Sequence, residues 1–95
     1  MSDVVNEAVR VLSDKLSGGF DGAAKFVIEG EGAIMLDAEG VRAADEEADV
    51  TLTATAEVFQ QIIEGDLNPT TAFMSGRLAV DGNMGMAMKL ASVLS

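Results

Sequence analysis

Carboxylates are the only chemically versatile side chains that this sequence has in quantity. It contains sixteen Asp and Glu residues, no histidine and no cysteine, and its net charge is −10. Histidine is the commonest general base, and histidines and cysteine thiolates are the usual zinc ligands, so these chemistries lack their residues. Residues 45–49 form the densest acidic run, but its spacing differs from the Asp-x-Asp-x-Asp-Gly calcium loop. A solvated acidic loop is the simpler interpretation of this run.

Two further motifs contain residue types that are found at catalytic or anion-binding sites. Ser75 lies outside any Gly-x-Ser-x-Gly nucleophile elbow, and we interpret it as a helix-end residue. Residues 82–85, Gly-Asn-Met-Gly, open a predicted helix, and helix N-termini attract anions such as a ligand carboxylate or phosphate. Capping of that helix by Asn83 explains the same residues more simply. We therefore expect no enzyme, no catalytic residues, no metal site and no cofactor.

The apolar spacing predicts the elements that surround these motifs. Residues 3–17 carry apolar side chains at intervals of three and four, which indicates a helix with one buried side, with Asp3 or Ser2 as its cap and Gly18-Gly19 at its end. From Phe20 the period changes to two, which predicts four antiparallel strands before residue 54. A helix follows, capped by Thr55. The predicted strands cover residues 20–29, 33–38, 41–44 and 49–53.

Residues 68–90 predict a short helix, a strand and a final helix. Asn68 is a candidate N-cap, and Pro69 follows at the first helical position, where a missing N–H costs nothing. Gly76 can adopt the left-handed conformation that ends a helix. Residues 77–81 alternate polar and apolar side chains, as a half-buried strand does.

This segment resembles the sterol carrier protein 2 (SCP2) family of small lipid-binding domains. The resemblance implies a five-stranded mixed sheet in which the fifth strand lies beside the others, with a hydrophobic tunnel between sheet and helices. The matching residues are Asn68-Pro69, Ala72-Phe73, Ser75-Gly76, the strand that follows, Gly82-Asn83-Met84, Ala87 and Lys89-Leu90.

Strands and helices segregate along the chain, so we expect an α+β fold. A mostly antiparallel sheet of five strands would have helices on one face, and residues 1–95 would form a single domain. Residues 1–7 lack a basic region followed by an apolar run, so we expect no signal peptide and a cytoplasmic location. No apolar run approaches the roughly 20 residues that span a bilayer. The acidic charge also argues against nucleic acid as a partner.

The final helix carries apolar residues over an arc of about 220°, against roughly 100° for a simple surface helix. It therefore needs cover on a second side, from a ligand, a second subunit or another helix. Methionines suit an apolar surface that adapts to different ligand shapes. The predicted ligand-binding residues are Phe59, Ile62, Ile63, Phe73, Met74, Met84, Met86, Met88 and Leu90, with Phe26, Ile28 and Met35 as a sheet floor.

The leading hypothesis is non-catalytic binding of a lipid, with intracellular transfer of that lipid as an extension. Candidate ligands are a fatty acid, a fatty acyl chain, a phospholipid or a sterol-like molecule. The alternative is an accessory interaction or homodimerisation module, for example a helper in lipophilic-quinone or lipid metabolism. An enzyme is the third hypothesis, and no constellation of residues supports it.

Overall fold

Four helices and five strands make up the part of the chain that the structure, a computed structural model, describes: residues 3–16 and 20–94. The predicted first strand begins at Ala24 rather than Phe20, and the predicted end residues Ser2 and Gly18-Gly19 lie outside the described residues. Other boundaries move by one or two residues, as is common for element ends. In chain order the elements are α1 (Asp3–Lys15), β1 (Ala24–Glu29), β2 (Gly32–Asp37), β3 (Gly40–Ala43), β4 (Val50–Thr55), α2 (Ala56–Ile63), α3 (Pro69–Met74), β5 (Ala79–Gly82) and α4 (Met84–Leu94).

The strands form one mixed sheet in the order β3-β2-β1-β4-β5. The pairs β1–β2, β2–β3 and β4–β5 are antiparallel, whereas β1 and β4 are parallel, with Ala24 opposite Val50. The expectation of a mostly antiparallel five-stranded α+β sheet is confirmed. The expectation that the first four strands are all antiparallel to one another is wrong, because β4 returns to the far side of β1.

The helices pack against one face of this sheet. Phe26 of β1 and Phe59 of α2 meet edge to face at the centre, with ring centroids 4.9 Å apart. Both rings are fully buried, so they anchor α2 to the middle of the sheet. The other members of this core are Val5, Ala8, Leu12, Leu16, Phe20, Ala24, Ile28, Ile34, Leu36, Val50, Leu52, Ala54, Ile62, Ile63, Ala72, Leu78, Ala87 and Leu90.

The acidic connection between β3 and β4 crosses part of the second face of the sheet. This connection must cross β2 and β1, because β3 lies at the sheet edge and β4 lies beyond β1. Lys25 binds Asp45 at 2.9 Å, and Arg42 binds Glu46 at 2.7 Å. The prediction of a solvated acidic loop is confirmed, since all four carboxylates of the run are exposed. Two of them also pair with strand residues.

Met35 lies on this second face and does not belong to the floor that the sequence predicted. Its neighbours Ile34 and Leu36 belong to the core, and adjacent strand residues point to opposite faces. Lys25 and Arg42 are its register partners on the flanking strands. Met35 is only 1% exposed, so the second face is also closed to water at this point.

The Arg42 side chain joins β2, β3 and the connection. Its guanidinium donates to both carboxylate oxygens of Asp37, at 3.1 and 2.9 Å, as well as to Glu46. The hydrogen bond from Arg42 lowers the pKa of Asp37 below its ordinary value of 3.8, assisted by the Glu39 amide, while partial desolvation opposes the shift. A carboxylate with a depressed pKa in the folded state stabilises the fold above its unfolded pKa.

We expect the Asp37→Asn variant to be less stable than the wild type at pH 7. This difference should shrink as the pH falls through the folded-state pKa of Asp37, because a protonated carboxyl is as neutral as the amide that replaces it. Thermal unfolding of both proteins at pH 7 and near pH 2.5 measures the two differences. Equal differences at both pH values would show that the ion pair is not their cause.

Candidate functional site

Helix α3 is defined by local capping at both ends. Asn68 Oδ1 accepts the two amides that follow the proline, at 2.8 and 3.3 Å, and Pro69 occupies the first helical position. At the other end Gly76 adopts a φ of +80°, and the Arg77 amide donates to the Ala72 carbonyl at 2.9 Å. This is the Schellman arrangement, which turns the chain directly into β5.

Helix α4 begins where β5 ends. The Asn83 side chain accepts the Met86 amide at 3.0 Å, so the predicted cap is confirmed. The Asn83 amide in turn donates to the Asp49 carbonyl at 3.0 Å, which ties the start of α4 to the start of β4. The position of α4 over the sheet therefore depends on the β4–β5 pair.

One side of α4 is buried, and another side is exposed to solvent. Ala87 and Leu90 are buried against the sheet, whereas Met84 and Met88 are about half exposed. Val93 is 38% exposed and lies on the opposite side of the helix, since nine residues at 100° each place it about 180° from Met84. The sequence predicted that α4 needs apolar contacts on a second side. The residues that the structure describes supply these contacts only in part.

The segment before β1 holds the far side of α4. The Met86 methyl group lies against Gly22, where an added Cβ would overlap it. The Lys89 ammonium binds Asp21 at 3.2 Å and lies 5.8 Å from the centre of the Phe20 ring. These contacts fix the edge of α4 that lies away from α3.

A small pocket lies between α3, α4 and the β4–β5 pair. Its volume is about 20 Å³, which is room for roughly one water molecule. The paired residues Leu52 and Val80 form its base on the sheet. Its lining consists of Leu52, Pro69, Thr70, Phe73, Leu78, Val80, Met84, Ala87, Met88 and Ala91.

The predicted ligand-binding residues occupy three kinds of position. Three of them, Phe73, Met84 and Met88, line the pocket. Met74 is 80% exposed and lies outside the lining, and Met86 packs on the segment before β1. The remaining four are buried in the core and absent from the lining: Phe59, Ile62, Ile63 and Leu90.

Sequence reasoning missed seven lining residues, and most of them are small or come from strands. Ala87 and Ala91 face the pocket because they stand about one turn apart on α4, on the same side of the helix as the lining residues Met84 and Met88. The alternating pattern at 77–81 places Leu78 and Val80 on one face of the strand. This pattern could have identified both as lining residues. Their meeting with Leu52 depends on a strand pair that residue spacing does not reveal.

The pocket offers contact with apolar groups and little polar chemistry. Its lining contains no charged side chain, and Thr70 carries its only side-chain polar group. Within residues 3–16 and 20–94, no group of three or more Asp and Glu residues is placed to hold a metal ion. No helix in the same part of the chain is long and apolar enough to cross a membrane.

Comparison with known proteins identifies the family. The model of the SCP-2 sterol transfer family matches residues 6–95. The chain belongs to the SCP-2 sterol transfer family.

Relatives of this SCP-2 domain include much longer proteins. Human hydroxysteroid dehydrogenase-like protein 2 is 34% identical over 106 residues, which cover 99% of this chain and 25% of that protein. Chicken sterol carrier protein 2 is 48% identical over 46 residues, or 48% of this chain and 8% of that protein. The chain thus spans about a quarter of the length of the first of these relatives.

A solved structure of another SCP-2 protein has the same fold. Sterol carrier protein-2 from Aedes aegypti, in complex with the C16 fatty acid palmitate, superposes with a TM-score of 0.80. The match covers 100% of this chain and 97% of that one at 20% sequence identity. The mixed sheet and its covering helices are therefore the SCP-2 fold.

Proposed function

We propose that this SCP-2 domain binds a lipid with a long alkyl chain, such as a fatty acid, in the pocket between α3, α4 and the β4–β5 pair. The observation that carries the proposal is the lining, in which nine of the ten side chains are apolar. The mosquito relative with palmitate supports a fatty acid as the ligand class. Burial of each methylene group contributes about 0.8 kcal/mol, so an alkyl chain supplies enough free energy for binding.

Binding requires the pocket to enlarge, because its volume of about 20 Å³ does not hold an alkyl chain. Widening occurs at the seam between α3 and α4, where the side chains of Phe73, Met84 and Met88 are partly exposed. Methionine side chains have three rotatable bonds and repack around ligands of different shape. The contacts of Met86 and Lys89 with residues 20–22 hold the opposite edge of α4 in place while the seam opens.

Thr70 gives the pocket one polar group for orienting a ligand. The structure describes no hydrogen bond from its side-chain hydroxyl, and its amide is used by the Asn68 cap. A carboxyl or hydroxyl group of the lipid would pair with this hydroxyl while the alkyl chain extends between α4 and the sheet. We extend this function to intracellular transfer of the ligand, because the ligand would enter and leave through the same seam between α3 and α4.

We expect the Ala91→Phe variant to bind a fluorescent fatty acid at least tenfold more weakly than the wild type. Ala91 lines the pocket and is half-buried, so a phenyl group there occupies the space that the alkyl chain needs. The matched control is Val93→Phe, which adds the same kind of ring to the opposite side of α4. Titration of the probe, with displacement by unlabelled palmitate, measures both affinities.

Native mass spectrometry of gently purified wild-type protein complements the titration by detecting a lipid that co-purifies. Equal affinities for Ala91→Phe and Val93→Phe would place the ligand elsewhere on the domain. A wild-type protein that binds no fatty acid, phospholipid or sterol from a panel would refute the proposed function itself.

A further inference from the structure

We propose that Met84 and Met88 form an oxidation site at the pocket, where hydrogen peroxide converts their thioethers to sulfoxides and thereby lowers the affinity for lipid. Oxidation of this site would regulate the lipid binding proposed above, on which the inference rests. Three properties of these two side chains carry it: their reactivity, their access to solvent and their place in the pocket lining.

Methionine is the readily oxidised side chain of this protein. The sequence has six methionines and no cysteine, tryptophan, tyrosine or histidine, so thioether sulfur is its main target for a two-electron oxidant. The sulfur lone pair attacks one oxygen of hydrogen peroxide, and an S–O bond forms as the O–O bond breaks. The second oxygen leaves as water with both protons. Sulfur loses two electrons and the peroxide gains two, so the step needs no further reactant.

Access to solvent differs widely among the methionines. Met74 is 80% exposed, Met88 53% and Met84 44%, whereas Met35 is 1% exposed. Exposed methionines are oxidised sooner than buried ones, because the oxidant is dissolved in water and must reach the sulfur atom. Peroxide therefore reaches Met74, Met84 and Met88 in the folded protein, while the fold protects Met35.

Met84 and Met88 combine this exposure with a place in the pocket lining. They are four residues apart on α4, so they lie on the same side of the helix, and both line the pocket. Met74 is more exposed but lies outside the lining. Oxidation of Met74 should therefore leave lipid binding unchanged, whereas oxidation of Met84 and Met88 alters the surface that the ligand contacts.

A sulfoxide oxygen is a strong hydrogen-bond acceptor, and the lining offers few donors. Nine of the ten lining side chains are apolar, and Thr70 supplies the only side-chain hydroxyl. An alkyl chain in the pocket would remove water from two sulfoxides that the apolar lining cannot satisfy, which disfavours the complex. The lipid-free domain loses less, because Met84 and Met88 are about half exposed and their sulfoxides can face water. Oxidation should therefore weaken binding without unfolding the domain.

The exposure of the two side chains also makes the change reversible. Methionine sulfoxide reductases, one enzyme for each sulfoxide epimer, return the sulfoxide to the thioether. A sulfoxide at the surface is accessible to these enzymes in the folded protein, whereas one in the core is not. The pocket can thus alternate between a state that holds lipid and a state that releases it.

The experiment compares fatty acid binding before and after oxidation. Wild-type protein is treated with hydrogen peroxide, freed of peroxide with catalase and titrated with a fluorescent fatty acid, while peptide mass spectrometry locates each sulfoxide. We expect the affinity to fall about tenfold or more once Met84 and Met88 are oxidised, and to recover after treatment with both reductases. The melting temperature should change by about 4 °C or less, as for other changes at the surface.

Leucine variants assign the effect to particular side chains, because leucine has about the volume of methionine and no sulfur. The affinity of the double variant Met84→Leu/Met88→Leu should be the same before and after peroxide. Met74→Leu is the matched control and should lose affinity on treatment as the wild type does. Each comparison is made within one protein, so any effect of the leucine itself cancels.

Bound lipid supplies an independent readout of the same site. Saturating palmitate should slow the oxidation of Met84 and Met88, because the ligand covers their sulfur atoms, and should leave the rate at Met74 unchanged. Peptide mass spectrometry during the peroxide treatment measures all three rates. Rates at Met84 and Met88 that are equal with and without palmitate would show that the ligand does not contact them, and would overturn the inference.

Three further results overturn the inference and leave the lipid pocket intact. The first is a wild-type affinity that peroxide does not change although Met84 and Met88 are sulfoxides. The second is an equal loss of affinity in the double leucine variant. The third is that Met84 and Met88 stay reduced when Met74 is fully oxidised. Untreated protein that binds no fatty acid, phospholipid or sterol refutes the proposed function instead, and the inference falls with it.

Discussion

The Phe59→Ala variant is expected to lose about 3–5 kcal/mol of unfolding free energy, the usual cost of removing a buried phenyl ring. Phe59 is fully buried and meets Phe26 edge to face at a centroid distance of 4.9 Å. The loss is severe for a domain of this size, whose total stability is about 5–15 kcal/mol. Since 1 kcal/mol shifts the melting temperature of such a domain by about 4–8 °C, we expect that temperature to fall by about 12 °C or more.

Phe73→Ala provides the matched control, because it removes the same ring from the pocket lining. Phe73 is 39% exposed, so its removal should cost about 1 kcal/mol or less in stability. It should nevertheless weaken fatty acid binding several-fold, whereas Phe59→Ala should weaken binding only in proportion to the unfolded fraction. Calorimetry together with probe titration distinguishes the two profiles. Similar losses of stability in both variants would contradict the division between core and pocket.

The Gly82→Ala variant is expected to lose about 3 kcal/mol or more. Gly82 has a φ of +108°, a conformation that residues with a Cβ adopt only with strain. An added Cβ would also overlap the Asp49 carbonyl oxygen and lie 3.1 Å from the Val50 Cα, and neither backbone atom can move independently of β4. The β4–β5 pair should loosen, and with it the start of α4 and the pocket wall.

Gly76→Ala separates backbone strain from this close approach. Gly76 has a φ of +80°, but nothing lies within 4 Å of an added Cβ. Its substitution should therefore cost about 1–2 kcal/mol, which is the ordinary penalty of a left-handed residue. Urea unfolding of both variants measures the difference. A Gly82→Ala variant no less stable than Gly76→Ala would mean that β5 does not approach β4 as closely as the structure indicates.

The methionines show what residue patterns leave undecided. Met84 and Met88 line the pocket, and Met86 packs on Gly22. Met74 is exposed to solvent, and Met35 lies on the second face of the sheet. These residues are chemically identical, so composition gives no ground for distinguishing them. Their helical or strand phase places each on a face, but only the neighbouring element decides what that face contacts.

The acidic connection illustrates the same limit for charged residues. Its sequence indicates a loop, and the loop is present between β3 and β4. Its path across the second face follows from the order of the strands, which forces the chain across β2 and β1. Asp45 meets Lys25 of β1 only because that path passes over it, whereas Glu46 and Arg42 are four residues apart in the sequence.

The sequence by itself determined the helix caps and turns of this protein. Through residues 68–90 it also determined the family. Thr55, Asn68 and Asn83 each cap a helix by bonding an amide two or three residues away, so the physics lies within one turn of chain. Tertiary structure alone decided the parallel β1–β4 pair, the place of β5 at the sheet edge and the separation of core from pocket. Those features join residues tens of positions apart, and their free energy comes from burial that no short window of sequence contains.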